Sequence, residues 1–269
     1  MITEVGNYPI VEHLPHGALG PRFASLTASG AQLIVELVAI RGDAELFERA
    51  LRRLTVLATV RHKHLTPIID AGLDADHFFL VTPRPRRTAD EIGIAGIAAA
   101  HVMAHVARGL AHLHTAGVVH RDIQLCHIGL LNGIAQLGGC GLADVAGART
   151  RGIGPIGAVS TMAPSLVRGR PATRGSDVYS FGAALHLLAT GEAVHPLRDE
   201  SLSTRIARIG REAPQVADSL PVELRPVVEH ALAVDGDPGD QCRRLHQFID
   251  DLAQHAPGHD VIGEWTCTA

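Results

Sequence analysis

One stretch of the chain, residues 120–141, holds the side chains whose types and spacing are best suited to chemistry. Asp122 could act as a general base and accept the proton of a hydroxyl group. Hard cations prefer oxygen ligands, but His127 carries an imidazole and Gly139 has no side chain. The stretch therefore offers one candidate base, and neither His127 nor Gly139 provides an oxygen ligand for a hard cation.

The elements that position this stretch change in type at residues 83–87, which read Pro-Arg-Pro-Arg-Arg. Before this point, short apolar runs alternate with turns that contain glycine, a pattern typical of a small antiparallel sheet. An amphipathic helix follows, which Asp43 could cap. The two prolines interrupt regular structure because proline fixes φ and lacks an N–H donor. The sequence therefore predicts a lobe boundary at residue 83.

After the boundary, apolar residues recur at helical spacing, as Val102, Val106 and Leu110 do. The predicted helices are 98–114, one that Ser176 caps, 224–234 and 242–253. The sequence thus predicts an α+β fold with three parts. These are a sheet-rich N-lobe with one helix at 1–83, a mainly helical C-lobe at 84–255 and a tail at 256–269.

The overall composition argues against several classes of protein. The chain has 269 residues, a net charge of −4 and an isoelectric point near 6.5, so no nucleic-acid partner is expected. It has no apolar run of about 18 residues, so no membrane span is predicted. The four cysteines have no metal-ligand spacing and are typical of reduced thiols. We therefore predict a cytoplasmic protein.

Three motifs follow one another in an order that resembles the protein kinase superfamily, and most closely the bacterial Hanks-type Ser/Thr kinases. The first contains His120-Arg121-Asp122, the second is Met162-Ala163-Pro164-Ser165, and the third is Ser176–Gly182. The resemblance covers about residues 8–255 and implies a bilobal kinase-like fold. It also implies structural roles for His120 and Arg121, and a role for Asp177 in holding the backbone of the catalytic loop.

The chain departs from the family pattern where the pattern places charge. The resemblance puts Glu36 at the position of the lysine on the third strand and Arg53 at the position of its glutamate partner. A charge-reversed pair of Glu36 and Arg53 is therefore expected. Lys63 is the only lysine in the sequence, so no small shift of the alignment restores the missing cation. The departing positions are Glu36, Arg53, Gln124, His127, Gly139, Cys140, Ser165 and Gln241.

Two further departures concern the glycine loop and a buried ion pair. Of the glycines that would cover the phosphates, Gly17 and Gly20 remain, and the first position is Pro15. These two are predicted to form a vestigial nucleotide-binding loop. Ser165 and Gln241 replace both members of an ion pair of the family, and this double change avoids the cost of one buried, unpaired charge.

From these departures the sequence predicts a catalytically inactive kinase-like domain, a pseudokinase. It would not be an enzyme, would bind little or no Mg·ATP and would need no cofactor or metal. It would act in signalling as a scaffold or an allosteric docking module. One alternative is an atypical ATP-using Ser/Thr kinase, or another phosphoryl or nucleotidyl transferase, that uses Asp122 with Arg22, Arg53 or Lys63 as a replacement cation. A second alternative is a sensor of a non-nucleotide ligand.

The expected partner is a protein, such as an active kinase or a phosphothreonine-reading domain. Three residues in or near the segment 142–162 are predicted phosphoacceptors: Thr150, Ser160 and Thr161. A phosphate there could pair with Arg121 or recruit a reader domain.

Overall fold

A computed structural model describes most of the chain in two compact units. The described residues are 2–15, 20–39, 48, 52, 55–74, 77–131, 133–140, 159–233, 247, 248 and 250–252. The first unit takes its described residues from 1–62 and 66–85, and the second from 63–65, 86–140 and the chain after 158.

The first unit is built on an antiparallel sheet. Its strands are β1 (Glu4–Val5), β2 (Tyr8–Pro9), β3 (Glu12–Leu14), β4 (Arg22–Leu26), β5 (Gln32–Ala39), β6 (Asp70–Asp74) and β7 (His77–Pro83). Strands β3 to β7 form one sheet in the order β3-β4-β5-β7-β6, while β1 and β2 form a separate hairpin. Alternate apolar residues of β4, β5 and β7 face a core that the hairpin also enters through Val5. Residues 55–59 are helical, in the region where the sequence predicts a helix.

The second unit is mainly helical. Its helices are α1 (Ala99–Thr115), α2 (Pro164–Val167), α3 (Arg174–Thr190), α4 (Leu202–Ile209) and α5 (Arg225–Ala233). A three-stranded antiparallel sheet joins β8 (Arg87–Thr88), β9 (Ile128–Leu131) and β10 (Ile134–Leu137) in the order β10-β9-β8. The sheet in the first unit and the helices in the second confirm the predicted α+β class.

Helix α3 is the centre of the second unit and is buried on almost every side. It lacks a polar face, as expected for a helix that is surrounded by other elements. Its N-terminus differs from the prediction: Thr173 is the N-cap residue, and Ser176 is the third helical residue, which completes a capping box with it. Gly182 lies so close to α5 that a Cβ atom there would be 2.5 Å from Cβ of Ala231.

A short segment from the early part of the chain, residues 63–65, belongs to the second unit. Leu65 forms a parallel bridge with Leu137 of β10, and the main-chain N–H of Leu137 donates to the carbonyl of His64 at 3.0 Å. Gly109 of α1 has room for no side chain because a Cβ atom would be 2.5 Å from the same carbonyl. The segment is therefore an integral part of this unit.

Other predicted helices are seen in part. Helix α5 lies within the predicted helix 224–234, and the described residues between 247 and 252 are helical, within the predicted range 242–253. The short helices α2 and α4 were not predicted from the sequence. None of the helices in the described ranges is long and apolar enough to cross a membrane. The predicted tail, 256–269, lies outside the described residues.

Candidate active site

The loop that carries Asp122 rests on one buried carboxylate. Asp177 of α3 is 1% exposed, and its Oδ2 and Oδ1 accept the main-chain N–H groups of His120 and Arg121, both at 2.7 Å. Oδ2 also lies 2.8 Å from Nε2 of His114 on α1. A buried carboxylate needs such partners because the loss of hydration would otherwise be costly. Asp177 therefore fixes the path of the loop, including the left-handed backbone of Arg121, whose φ is 78°.

His120 continues this network towards the next hairpin. Its Nδ1 accepts the main-chain N–H of Asp122 at 3.2 Å, and its Nε2 donates to the carbonyl of Gly138 at 2.9 Å. One nitrogen accepts and the other donates, which requires the neutral imidazole. The pKa of His120 is lowered mainly by burial, against the opposing effect of the nearby Asp177 charge. A neutral His120 thus ties residue 122 to residue 138.

Asp122 is held at the surface of this network. Its Oδ1 accepts from Nε2 of Gln124 at 2.6 Å. Nδ1 of His127 lies 2.9 Å from the carbonyl oxygen of Asp122 and 3.4 Å from its Oδ2. The Asp122 side chain is 25% exposed, so it remains accessible. Since Oδ1 is occupied by the amide, Oδ2 is the oxygen best placed to take a proton from a bound hydroxyl group.

Gly139 lies directly against His127. Its φ of 73° is a conformation that glycine adopts most readily. A Cβ atom at this position would be 2.8 Å from Nδ1 and 3.0 Å from Cγ of His127. The following residue, Cys140, is half-buried.

The resemblance places the family's two metal-binding residues at His127 and Gly139, and these positions do not supply the oxygen ligands that Mg²⁺ prefers. Across the described residues, no group of three or more His, Cys, Asp and Glu side chains could hold a metal ion. The residues at these two positions therefore do not fit a bound Mg²⁺ ion.

Some of the residues predicted to lie near a bound nucleotide are described in the first unit. Glu36 of β5 lies opposite Arg22 of β4 in the antiparallel register. Arg53 and Gly17 lie outside the described residues, so the predicted Glu36–Arg53 pair and the first glycine remain predictions. Gly20 lies so near β5 that a Cβ atom would be 2.2 Å from the carbonyl oxygen of Leu37, which gives this glycine a packing role.

Two of the predicted phosphoacceptors are buried. Ser160 is 9% exposed and accepts from Nη2 of Arg205 at 3.1 Å. Thr161 donates from Oγ1 to the carbonyl of Ile123 at 2.8 Å and so ties this segment to the catalytic loop. Ser165 is buried on α2. Thr150 and Gln241 lie outside the described residues.

Arg205 is a buried cation on α4 that contacts the segment before α2, and its role was not predicted from the sequence. The helix itself has a readable signal, since Ser201 caps it and its apolar residues share one face. Nothing in the local sequence shows that this arginine points inward, because a charged residue on a short amphipathic helix is normally exposed.

Comparison with known proteins now identifies the family. The model of the protein kinase domain matches residues 14–257, so the chain belongs to the protein kinase family. The predicted bilobal α+β protein-kinase-like fold and the Hanks-type resemblance are confirmed.

Three curated relatives carry names of serine/threonine-protein kinases. Serine/threonine-protein kinase PkaA of Streptomyces coelicolor is 29% identical over 92% of this chain and 50% of its own length. Serine/threonine-protein kinase AfsK of Streptomyces griseus is 27% identical over 96% of this chain and 33% of its own length. The probable serine/threonine-protein kinase PkwA of Thermomonospora curvata is 29% identical over 83% and 31%. The chain thus spans between about a third and a half of the length of these three relatives.

These relatives correct three predictions from the sequence. The expectation of an inactive pseudokinase scaffold is wrong, and so is the expectation that the chain is not an enzyme, because the family and the names of its relatives point to Ser/Thr kinase activity. The expectation of no cofactor is also wrong, since protein kinases generally use ATP with Mg²⁺.

Proposed function

We propose that this chain is an atypical Ser/Thr protein kinase that transfers the γ-phosphoryl group of ATP to a protein hydroxyl group, with Asp122 as the base. The observation that carries the proposal is the geometry of Asp122. Its backbone lies in a loop that buried Asp177 fixes, and its carboxylate is oriented by Gln124 while remaining partly exposed. Membership in the protein kinase family supports the same reaction.

The reaction needs little covalent help from the protein, because phosphoryl transfer depends mainly on positioning and electrostatics. The substrate hydroxyl oxygen forms a bond to the γ-phosphorus, and the bond from that phosphorus to the bridging oxygen of ADP breaks. The hydroxyl proton passes to Oδ2 of Asp122, and ADP leaves. The contribution of this chain is to hold that carboxylate oxygen in place.

A cation must still compensate the charge of the phosphates, and we assign this role to Arg22. Its Nε is buried and has no hydrogen-bond partner among the described residues. Arg22 lies across from Glu36 on the neighbouring strand. The resemblance gives the position of Glu36 to the family's lysine. Lys63 and Arg53 are the other candidates, and Arg53 lies outside the described residues.

The substrate of the proposed reaction is a protein, as the family suggests. The predicted partners, an active kinase or a phosphothreonine-reading domain, fit a kinase that signals through protein contacts. The lobe boundaries at 83 and 255 and the cytoplasmic location remain part of the proposal. Phosphorylation of Ser160 or Thr161 would require the segment that buries them to open.

Radiolabelled ATP with Mg²⁺, the purified chain and a general Ser/Thr substrate such as casein would test the proposed function. We expect label to enter protein serine or threonine, and Asp122→Asn to lower kcat by about 100-fold or more. Asp218→Asn, which changes an exposed aspartate of the same unit, is the matched control and should leave the rate unchanged. Equal transfer by the wild-type and Asp122→Asn proteins would overturn the proposal.

The role of Arg22 is tested by the KM for ATP. Arg22→Ala should raise this KM by about 10-fold, and Arg22→Lys should recover part of the loss because it restores a positive charge. Arg52→Ala is the control, since this arginine is 65% exposed and pairs with Glu48. An unchanged KM in Arg22→Ala would remove the assignment without affecting that of Asp122.

A further inference from the structure

We propose that Gln124, His127 and Gly139 form a positioning unit for Asp122, in which the glycine leaves the space that the histidine occupies. The inference rests on the proposed function, because the unit acts on the reaction only through Asp122. All four residues belong to the second unit of the fold.

The first contact fixes the carboxylate directly. Gln124 is 6% exposed, and its Nε2 donates to Oδ1 of Asp122 at 2.6 Å. A buried amide has few alternative partners, so this bond is difficult to exchange for water. The amide carries no charge, and it therefore orients the carboxylate without neutralising it. Oδ2 does not contact this amide and lies 3.4 Å from Nδ1 of His127.

The second contact fixes the main chain of the same residue. Because a carbonyl oxygen can only accept, Nδ1 of His127 must carry the proton in its 2.9 Å contact with the carbonyl of Asp122. The main chain of His127 is itself bonded at both groups: its N–H donates to the carbonyl of Gln124, and its carbonyl accepts from Gly138. The ring therefore has a rigid base from which to hold residue 122.

Gly139 completes the unit because it has no side chain. A Cβ atom at position 139 would lie 2.8 Å from Nδ1 of His127, and side chains do not normally approach that closely. Any larger residue would have to push the imidazole away, and the bond from Nδ1 to Asp122 would then break. His127 and Gly139 are thus a matched pair, and a substitution at one position changes what the other can hold.

The test compares Gly139→Ala with Gly133→Ala. Gly133 lies in the turn between β9 and β10 with a φ of 74°, close to the 73° of Gly139, but a Cβ atom there meets nothing within 4 Å. The two positions have nearly the same φ, and only at position 139 would the added Cβ atom meet His127. We expect Gly139→Ala to lower kcat by about 10- to 100-fold relative to Gly133→Ala, with the KM for ATP unchanged within about twofold.

A second set of variants tests the pairing. His127→Ala should lower kcat, and adding Gly139→Ala to it should cause no further loss, because the ring is already absent. His127→Asn should recover activity relative to His127→Ala, since its amide N–H can still donate to the carbonyl of Asp122. The proposal is overturned if Gly139→Ala behaves like Gly133→Ala, if the two losses multiply in the double variant, or if His127→Asn is no better than His127→Ala.

Failure of the positioning unit can be told apart from failure of the proposed function. If the wild-type chain transfers no phosphate that depends on Asp122, the proposed function falls. The pairing is then decided by thermal unfolding of the wild-type, single-variant and double-variant proteins. A loss of stability in Gly139→Ala, beyond that of Gly133→Ala, that disappears in the His127→Ala background supports it, and purely additive losses overturn it.

Discussion

The two sides of the catalytic loop differ in burial and in residue type. The inner side, formed by His114, His120 and Asp177, is almost completely buried, and the Asp177 carboxylate joins the other two residues by hydrogen bonds. The outer side carries Asp122, whose side chain is partly exposed and is held by a few contacts, among them the bond from the buried Gln124 amide. The inner side contains residues on which the resemblance to kinases rests, whereas Gln124, His127 and Gly139, where we predicted departures from the family pattern, lie on the outer side.

This difference shows that the family signal and the reaction depend on different residues. The inner side can hardly vary, because each buried polar group must keep its partner. The outer side can vary as long as some arrangement still orients Asp122. Departures on the outer side are therefore weak grounds for inferring inactivity, which explains why the expectation of a pseudokinase was wrong.

The strongest test of the inner side is Asp177→Ala. The change leaves the main-chain N–H groups of residues 120 and 121 and the His114 ring without their acceptor, and we expect a loss of about 3–5 kcal/mol in the free energy of unfolding. Urea unfolding measures it. Asp218→Ala, at an exposed position, should change stability by less than about 0.5 kcal/mol. A loss below about 1 kcal/mol at Asp177 would show that the inner side does not depend on its carboxylate.

The next largest effect is expected from acid, which should reduce the stability that the half-buried His105 contributes. His105 of α1 accepts the main-chain N–H of Ala135 at 3.3 Å and stacks on His64 with ring centroids 4.1 Å apart. Its pKa is lowered to about 3, mainly by burial and then by the neighbouring side chains of His64, His101, Arg108 and Lys63. The folded pKa is below the unfolded value, so its contribution is complete above about pH 6.5 and is lost as the pH falls towards the folded pKa.

The expected size of this effect is limited by the unfolded state. At about pH 5, one such histidine costs at most about 2 kcal/mol, and His105 less because its ring is partly exposed. Unfolding by urea between about pH 7.5 and pH 5 should show a shallower loss in His105→Gln than in the wild type. His112→Gln, at an exposed position on the same helix, should leave the slope unchanged. Equal slopes in all three proteins would contradict the prediction.

The cap of α3 is a smaller test of the inner side, because this helix carries Asp177. Thr173→Ala removes the acceptor for the main-chain N–H of Ser176, 3.1 Å away, and should cost about 1 kcal/mol. Ser201→Ala removes the cap of the short and more exposed α4 and should cost less. The comparison, made by urea unfolding, would contradict the prediction if the α4 cap had the larger effect.

The smallest change in stability is expected on the outer side. Gln124→Ala removes one bond to a partly exposed carboxylate, and the loss of unfolding free energy should be below about 1 kcal/mol. Its kcat should nevertheless fall by about 10-fold, since Oδ1 of Asp122 is no longer fixed. A loss of stability as large as that of Asp177→Ala would remove the distinction between the two sides.

The sequence predicted the long elements well because their periodicity is local. The helix predicted at 98–114 is found at Ala99–Thr115, and the sheet that precedes the boundary is present. The cap of α3 was misplaced because Thr173 and Ser176 are both good capping residues, and only the backbone conformation decides between them.

The site could be predicted only as a set of positions. The spacing around His120 and Asp122 located the loop, but the contact between Gln124 and Asp122 depends on side-chain directions that spacing does not fix. The fit of His127 against Gly139 joins residues on two sides of a hairpin, and Arg205 reaches Ser160 from another helix. Such contacts depend on the tertiary packing of the chain and leave no periodic signal.

The placement of residues 63–65 has a consequence for dissecting the molecule. A recombinant fragment that starts at residue 84 would lack the strand-like partner of β10, and the carbonyl and ring of His64 that contact α1 and β10 would be missing. In such a fragment, the surface of β10 and α1 that contacts residues 64 and 65 would be uncovered. Fragment complementation with a synthetic peptide around His64 and Leu65 should therefore restore its stability. A cut at residue 83 would not yield two parts of the chain that fold independently.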